Sequence, residues 1–270
     1  MGNGIAHVFV RSGYEVILRD VNGNALEKAL ATIGANLERE AKKGKIAAGD
    51  KAVILGRIRV TTDAAALASA DFAVEAVPEQ FELKARVLKE ADAALPPGAI
   101  LASNTSSISI TQLAAQTGRG DRFVGMHFMN PVPVMPLVEV VRGKETSEAT
   151  FGRTMELCKS LGKMPVAVND APGFVSNRVL MPMINEAAFA VMEGVATPEA
   201  IDTVMKLGMN HPMGPLELAD FIGLDVCVDI MNVLRKGFGD PKYLVCPLLK
   251  NYVAAGRLGR KSRRGFYEYK

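Results

Sequence analysis

The 270-residue sequence lacks most of the features that would place it outside ordinary globular proteins. Its three cysteines, Cys158, Cys227 and Cys246, are far apart and form no CxxC pair, so neither a disulfide framework nor a zinc site is expected. No apolar run reaches the ~18 residues that span a bilayer, and the chain does not open with a basic segment followed by an apolar core. These absences predict a cytoplasmic protein with reduced thiols and no membrane association.

Charge of one sign is also lacking, because 32 basic side chains stand against 29 acidic ones and the net charge is +3. Proteins that bind nucleic acid usually carry a basic stripe, often with aromatic residues interleaved, and no such stripe is visible. Nucleic acid is therefore not an expected partner. The length fits about two domains of roughly 150 residues each.

Short apolar segments alternate with helical patterns along residues 1–168. The segments with strand character are residues 14–20, 58–62, 72–78, 100–104, 123–128, 137–141 and 164–168. The helical patterns between them cover residues 24–43, 79–94 and 148–161. Such alternation is typical of α/β proteins in which helices cover both faces of a mostly parallel sheet.

The remainder, residues 169–270, has a helical character, and we place a domain boundary near residues 169–173. Helices are predicted at residues 198–207, 215–236 and 247–255, with one short strand candidate at residues 265–269. Residues 173–193 are apolar almost all round. A helix of this kind is usually buried on every side, either in a domain centre or at a subunit interface.

The first twenty residues, MGNGIAHVFVRSGYEVILRD, resemble part of a nucleotide-binding unit. In such a unit a strand turns into a helix through GxGxxG, and an acidic residue ~20 positions further on bonds the ribose. Residues 2–12 read as the helix, Gly2 as the third glycine, and Asp20 as the acidic residue, although an Asp in a polar turn is the alternative. The first two glycines and the strand before them are not in the sequence.

Five short motifs point to one family. They are residues 103–107 (SNTSS), 125–131 (GMHFMNP), 137–140 (LVEV), 172–178 (PGFVSNR) and 211–216 (HPMGPL). In this order they resemble the short-chain L-3-hydroxyacyl-CoA dehydrogenases, in particular the bacterial 3-hydroxybutyryl-CoA dehydrogenases, over essentially the whole chain. The resemblance implies a Rossmann-type NAD-binding domain, a helical domain that forms a homodimer, and an active site in the cleft between them.

The activity implied by this resemblance is interconversion of (S)-3-hydroxyacyl-CoA and 3-oxoacyl-CoA with NAD, in β-oxidation or butanoate metabolism. No metal is expected, because NAD itself carries the hydride chemistry. Family members begin with a further strand and a GxGxMG turn, so we expect a truncated start that leaves two strands of the sheet without a partner. A catalytically impaired, non-enzymatic dimer of the same fold is the alternative function. A related dehydrogenase acting on sugar acids is a third, with a weaker match at residues 172–178.

The candidate base for the reaction is His127, because imidazole titrates near neutral pH and works in both directions. Glu139 lies in an apolar run, where a carboxylate is costly to bury without a partner. Pairing with His127 would supply that partner and stabilise the imidazolium formed during turnover. A structural histidine and a solvated edge-strand glutamate are the alternatives.

Two polar residues match the family positions that contact the substrate. Ser106 would bond the reacting C3 oxygen, and Asn177 would help hold the substrate's oxygen atoms. A turn or helix cap at Ser106 and a helix-to-helix hydrogen bond at Asn177 are the structural alternatives.

Other positions match family residues around the cofactor and the coenzyme A. The cofactor set is Gly2, Asp20, Glu79, Lys84, Asn104, Ser106, Asn130 and Lys261, and the coenzyme A set is Asn36 and Lys43. Asp20 favours NAD, although Arg19 would suit the 2′-phosphate of NADP. Lys84 has a solvated position on a helix as its alternative. Arg263 stands where the family usually has glycine, which weakens the assignment of Lys261 if the turn needs a positive φ.

Overall fold

Two units make up the chain, which the computed structural model describes at residues 1–47 and 49–270. They are Met1–Asp170 and Ala171–Lys270, so the division falls two residues beyond the predicted domain limit at residue 168. The first unit contains all the strands found among the described residues, and the second is helical.

The first unit alternates strands and helices. Its strands are β1 Val16–Arg19, β2 Ile58–Thr61, β3 Phe72–Glu75, β4 Ile100–Ser103, β5 Phe123–Phe128, β6 Leu137–Arg142 and β7 Met164–Asn169. Its helices are α1 Gly2–Arg11, α2 Gly23–Lys42, α3 Asp50–Gly56, α4 Phe81–Ala94, α5 Ile110–Ala114 and α6 Glu148–Ser160. Sequence analysis missed α3 and α5, which have seven and five residues and are too short to show helical periodicity.

The strands form two sheets rather than one. The pair β1–β2 is parallel, and a second sheet has the order β3-β4-β5-β6-β7, with only β5 and β6 antiparallel. The predicted mostly parallel sheet is therefore confirmed. Both β1 and β3 have one paired neighbour, so each presents an unpaired edge within this unit.

The core of the larger sheet surrounds β5, which is buried at every position. Strands covered on both faces read as continuous apolar runs, and apolar residues of β4, β5 and β6 pack here with α1 and α6. Gly125 is required on β5, because a Cβ there would lie 2.8 Å from Val141 Cβ and 2.8 Å from Ile110 Cδ1. His127 therefore sits on a strand that the core holds rigidly.

Arg119, in the segment before β5, binds the C-terminal end of α4 and the residues that follow it. Its guanidinium donates to the carbonyl oxygens of Pro96 and Ala99, at 3.0 Å and 2.9 Å, and it ion-pairs with Asp92. We expect Arg119→Met to lower the free energy of unfolding by at least about 2 kcal/mol, because several buried acceptors lose their donor. Urea denaturation measures this change. The exposed Arg86→Met on α4 is the control, and equal losses in both variants would contradict the assignment.

The second unit is a bundle of helices. They are α7 Ser176–Met192, α8 Pro198–Gly208, α9 Pro215–Ile222, α10 Leu224–Phe238 and α11 Pro247–Ala254. The single helix predicted at residues 215–236 is wrong, because Gly223 has a φ of +108° and separates two helices there. The strand predicted at residues 265–269 is also wrong. Asp220 instead accepts hydrogen bonds from the backbone N–H groups of Phe266 and Tyr267 in this tail.

The apolar helix α7 is buried on one side only. Ile184 and Ala188 lie in the core of the second unit, whereas the side of α7 with Val179 is open and that residue is 66% exposed. The helix is therefore not at the centre of its domain, and burial of its open side at a subunit interface stays a prediction. Among the described residues, no helix has both the length and the apolar character needed to cross a bilayer.

Candidate active site

A histidine and a glutamate form the centre of the candidate site. The antiparallel register of β5 and β6 sets His127 directly opposite Glu139, and directly opposed residues project from the same face of a sheet. Nδ1 of His127 lies 2.7 Å from Oε2 of Glu139, and the two residues are only 7% and 2% exposed. An Nδ1–H that donates to this carboxylate fixes the orientation of the ring and assigns proton exchange to Nε2.

Asn104 connects this pair with the loop that follows β4. Its Oδ1 accepts a hydrogen bond of 2.9 Å from the backbone N–H of Phe128, the residue next to His127. Its own N–H donates to the carbonyl oxygen of Glu75 at 2.8 Å. The carboxyl ends of parallel strands are where α/β folds place their ligands, and Asn104 ties two such ends together.

Glu79 organises the loop that carries Ser106. Its Oε1 accepts hydrogen bonds from Thr105 Oγ1 at 2.5 Å, from the N–H groups of Ser106 and Ser107 at 2.9 Å and 3.0 Å, and from Ser107 Oγ at 2.9 Å. Burial raises the pKa of the Glu79 carboxyl, but these hydrogen bonds and the nearby Lys84 charge outweigh it and hold the pKa below its ordinary value. Glu79 is therefore held as a carboxylate.

Lys84 lies inside the protein rather than on a helix surface. It is 0% exposed, and its Nζ donates to Glu75 Oε1 at 2.8 Å and to the Val77 carbonyl oxygen at 3.0 Å. The solvated alternative is wrong, because the side chain has no accessible surface, and the binding role of Lys84 toward the cofactor stays a prediction. Sequence analysis missed Glu75, which also accepts a 2.6 Å hydrogen bond from Ser103 Oγ.

Two of the predicted cofactor residues, Gly2 and Asp20, line one cavity of about 1040 Å³. It is lined by the start of α1, including Gly2, by strands β1 and β3, and by Asp20 just beyond β1. No side chain caps the N-terminus of α1. Backbone N–H groups at a helix start suit a pyrophosphate, and an acidic residue at a strand end suits ribose hydroxyls, so these residues fit NAD. Arg19 ion-pairs with Glu90 at 2.7 Å, which opposes its alternative role with a 2′-phosphate.

Five other predicted residues are carried by other parts of the chain: Asn36 on α2, Lys43 just after α2, Asn130 after β5, and Asn177 and Lys261 in the second unit. Lys261 ion-pairs with Asp225. Arg263 has a φ of +59°, so this turn does adopt the left-handed conformation that strains a residue with a side chain. The binding roles of these five residues stay predictions.

Comparison with protein families assigns the whole chain. Residues 1–171 match the model for the 3-hydroxyacyl-CoA dehydrogenase NAD binding domain, and residues 173–269 match the C-terminal domain of the same enzymes. The chain belongs to the 3-hydroxyacyl-CoA dehydrogenase family. It is an NAD-dependent oxidoreductase of hydroxyacyl-CoA substrates, as the resemblance implied.

Individual members of the family are similar over the full chain. A probable 3-hydroxybutyryl-CoA dehydrogenase of Bacillus subtilis is 55% identical over 269 residues, which is 100% of this chain and 94% of the relative. The 3-hydroxybutyryl-CoA dehydrogenase of Bradyrhizobium diazoefficiens is 52% identical, over 100% of this chain and 92% of the relative. The crystal structure of (S)-3-hydroxybutyryl-CoA dehydrogenase from Ralstonia eutropha has a TM-score of 0.98 and 51% identity, over 100% of this chain and 95% of that one.

The expected truncation of the chain is not confirmed by these comparisons, because the NAD binding domain model matches from residue 1. The division of the sheet at β1 and β3 is a feature of the structure itself. The cavity that fits NAD lies at that division, because residues of β1, β3 and α1 all line it.

Proposed function

We propose that this 3-hydroxyacyl-CoA dehydrogenase interconverts (S)-3-hydroxybutyryl-CoA and acetoacetyl-CoA, in β-oxidation or butanoate metabolism. The buried His127–Glu139 pair, with 2.7 Å between Nδ1 and Oε2, carries the proposal. A base oriented by a carboxylate suits removal of a hydroxyl proton during oxidation of a secondary alcohol. The names of the bacterial relatives, which are more than half identical over the whole chain, support the short acyl group.

In the direction of oxidation, Nε2 of His127 takes the proton from the C3 hydroxyl of the substrate. Glu139 stabilises the positive charge that the ring then carries, because its carboxylate lies against Nδ1. NAD, when bound, accepts the hydride that leaves C3. In the direction of reduction, the same Nε2 returns the proton to the C3 oxygen.

Ser106 binds the substrate in this proposal, by donating a hydrogen bond from Oγ to the C3 oxygen. A charge that develops on this oxygen is stabilised best by a donor that is already in place. The bond from the Ser106 N–H to Glu79 supports such preorganisation. Asn177, in the first turn of α7, is assigned to the substrate's oxygen atoms by the family motif.

Oxidation of NADH, followed at 340 nm with acetoacetyl-CoA and with longer 3-oxoacyl-CoA thioesters, tests the proposal. We expect turnover with acetoacetyl-CoA and a preference for it over long chains. A preference for long acyl chains would overturn the short-chain assignment. Absence of oxidation with every acyl length would favour the alternative, an impaired and non-enzymatic protein of this fold.

We further propose a homodimer formed through the second unit. Apolar side chains on four of its helices are open to solvent in a single chain, with Leu207 of α8 at 83% and Val179 of α7 at 66% exposure. Contiguous exposed apolar surface usually marks a contact with another protein. We expect sedimentation velocity to give twice the mass of the chain and Leu207→Glu to reduce it. A monomer at micromolar concentration would contradict the proposal.

We infer a cytoplasmic location, where thiols stay reduced. The three cysteines are unpaired and buried, which supports this environment. Burial raises the pKa of Cys158 and of Cys227 to about 12, so both thiols resist oxidation and alkylation.

A further inference from the structure

We infer that Glu79 is a positioning residue for Ser106, and that the buried Lys84–Glu75 pair holds Glu79 in place. The inference rests on the proposed role of Ser106 in substrate binding. It gives Glu79 and Lys84 a role in addition to the contact with the cofactor that the family resemblance implies.

Several hydrogen-bond donors meet at the Glu79 carboxylate. Four hydrogen bonds from three consecutive residues, Thr105 to Ser107, end on the same oxygen, Oε1. Two of them come from backbone N–H groups, so the carboxylate fixes the path of the main chain as well as its side chains. Charged acceptors hold such donors about twice as strongly as neutral ones. Ser106 is therefore held through its own N–H, beside the Oγ that meets the substrate.

The positive charge of Lys84 lies beside two carboxylates. Lys84 Nζ lies 3.4 Å from Glu79 Oε2 and 2.8 Å from Glu75 Oε1, so one buried ammonium serves two carboxylates. Glu75 is further held by Ser103 Oγ at 2.6 Å and by the Val77 N–H at 2.6 Å. A buried ion pair adds little to stability when compared with a well-packed neutral pair. A role in fixing the orientation of Glu79 accounts for its presence beside the loop.

The loop that carries Ser106 is also bound to the strand of the candidate base. Ser106 follows Asn104 by two residues, and Asn104 bonds the backbone of Phe128 next to His127. The loop is thus fixed to the strand of the base at one end and to Glu79 at the other. Movement of the loop would change the distance between the Ser106 hydroxyl and the substrate oxygen at His127.

The test replaces Glu79 by glutamine, which keeps the shape but removes the charge and turns an N–H₂ group toward Lys84 or the loop. We expect kcat with acetoacetyl-CoA to fall about 10- to 100-fold, the scale of an ångström-sized misplacement. The amides of Ser106 and Ser107 should also exchange faster with deuterium. Glu82→Gln, an exposed change three residues further on in the first turn of α4, is the control.

A double variant tests the buried pair without leaving a lone charge. Lys84→Met alone would strand the Glu75 carboxylate and endanger folding. The combination Glu75→Gln with Lys84→Met removes both charges together. We expect it to melt close to the parent protein, to lower kcat as Glu79→Gln does, and to speed amide exchange at Ser106.

If Glu79 acts through Ser106, replacements of the two residues have coupled effects on kcat, and a double-mutant cycle measures that coupling. We expect Glu79→Gln to lower kcat in the parent but much less in a Ser106→Ala background. The inference is overturned if the factor is the same in both backgrounds, if Ser106→Ala leaves kcat unchanged, or if only KM for NADH rises. Failure of the proposed function would appear in a different experiment, as an unchanged kcat in His127→Gln. The amide exchange of Ser106 and Ser107 tests the inference without any enzymatic activity.

Discussion

Replacing His127 with glutamine is expected to lower kcat for acetoacetyl-CoA reduction by at least about 100-fold, the lower end of what general acid–base catalysis contributes. Glutamine has a similar reach but cannot exchange a proton with the C3 oxygen. Its amide can still donate to Glu139 Oε2, which now lies 2.7 Å from the ring, so the buried carboxylate keeps a partner. We therefore expect normal folding, normal KM for NADH and a loss confined to the chemical step.

The matched control is His211→Gln, which changes a histidine of the second unit that carries no proposed role. Both variants are assayed for NADH oxidation at saturating substrate and for thermal unfolding. Near-normal turnover of His127→Gln would rule out this residue as the base. A large loss in both variants would mean that the assay follows folding rather than proton transfer.

The pairing of His127 with Glu139 shows how far sequence analysis reaches into this site. A carboxylate in an apolar strand needs a buried partner, and that reasoning selected Glu139 and its histidine. The same reasoning applies to Glu75, which lies in the apolar strand β3, yet no motif drew attention to it. The residue is buried and paired with Lys84, as Glu139 is with His127. A search for acidic residues in apolar runs would have found both.

Other features were outside the reach of local patterns. The role of Glu79 depends on three residues 26 to 28 positions away in the chain. The tail at residues 265–269 has the apolar and aromatic composition of a strand, but in the described part of the chain it makes only an isolated bridge from Glu268 to Arg264, and Asp220 binds its backbone. Propensity describes what a segment can form, whereas these outcomes depend on which partner lies beside it.

The helix predicted at residues 215–236 is divided in two by a single residue, and the amino-acid composition of the segment does not indicate the break. Gly223 adopts a φ of +108°, which only glycine accepts readily, and ends α9 one residue before α10 begins. Glycine also occurs inside helices, so its presence alone did not predict a break. At Arg263 a local signal was available, because glycine is usual in the family at that position and glycine is typical of a turn with positive φ. The structure has such a turn there, with a φ of +59° at Arg263.

Glu139→Gln is the second change expected to have a large effect, a loss in kcat of about 100- to 10,000-fold. The upper figure is the loss seen when the carboxylate of a serine protease triad is replaced by an amide, and the lower is the scale of losing a group that orients a ligand histidine. The amide removes the negative charge that stabilises the imidazolium. The glutamine amide can also donate a hydrogen bond to Nδ1 of His127. That bond favours the tautomer with the proton on Nε2, and a ring protonated at Nε2 cannot accept the proton of the substrate there.

The size of the Glu139 effect separates an electrostatic role from a structural one. Glutamine fills the same buried volume on β6, so thermal unfolding should stay close to the parent, whereas Glu139→Ala leaves a cavity and should unfold at a lower temperature. Glu156→Gln, on the exposed surface of α6, should alter neither activity nor stability. Glu139 would serve packing alone if Glu139→Gln retains turnover and if the turnover of Glu139→Ala falls only as far as its unfolded fraction rises. A large loss in the folded glutamine variant shows that its charge takes part in each turnover.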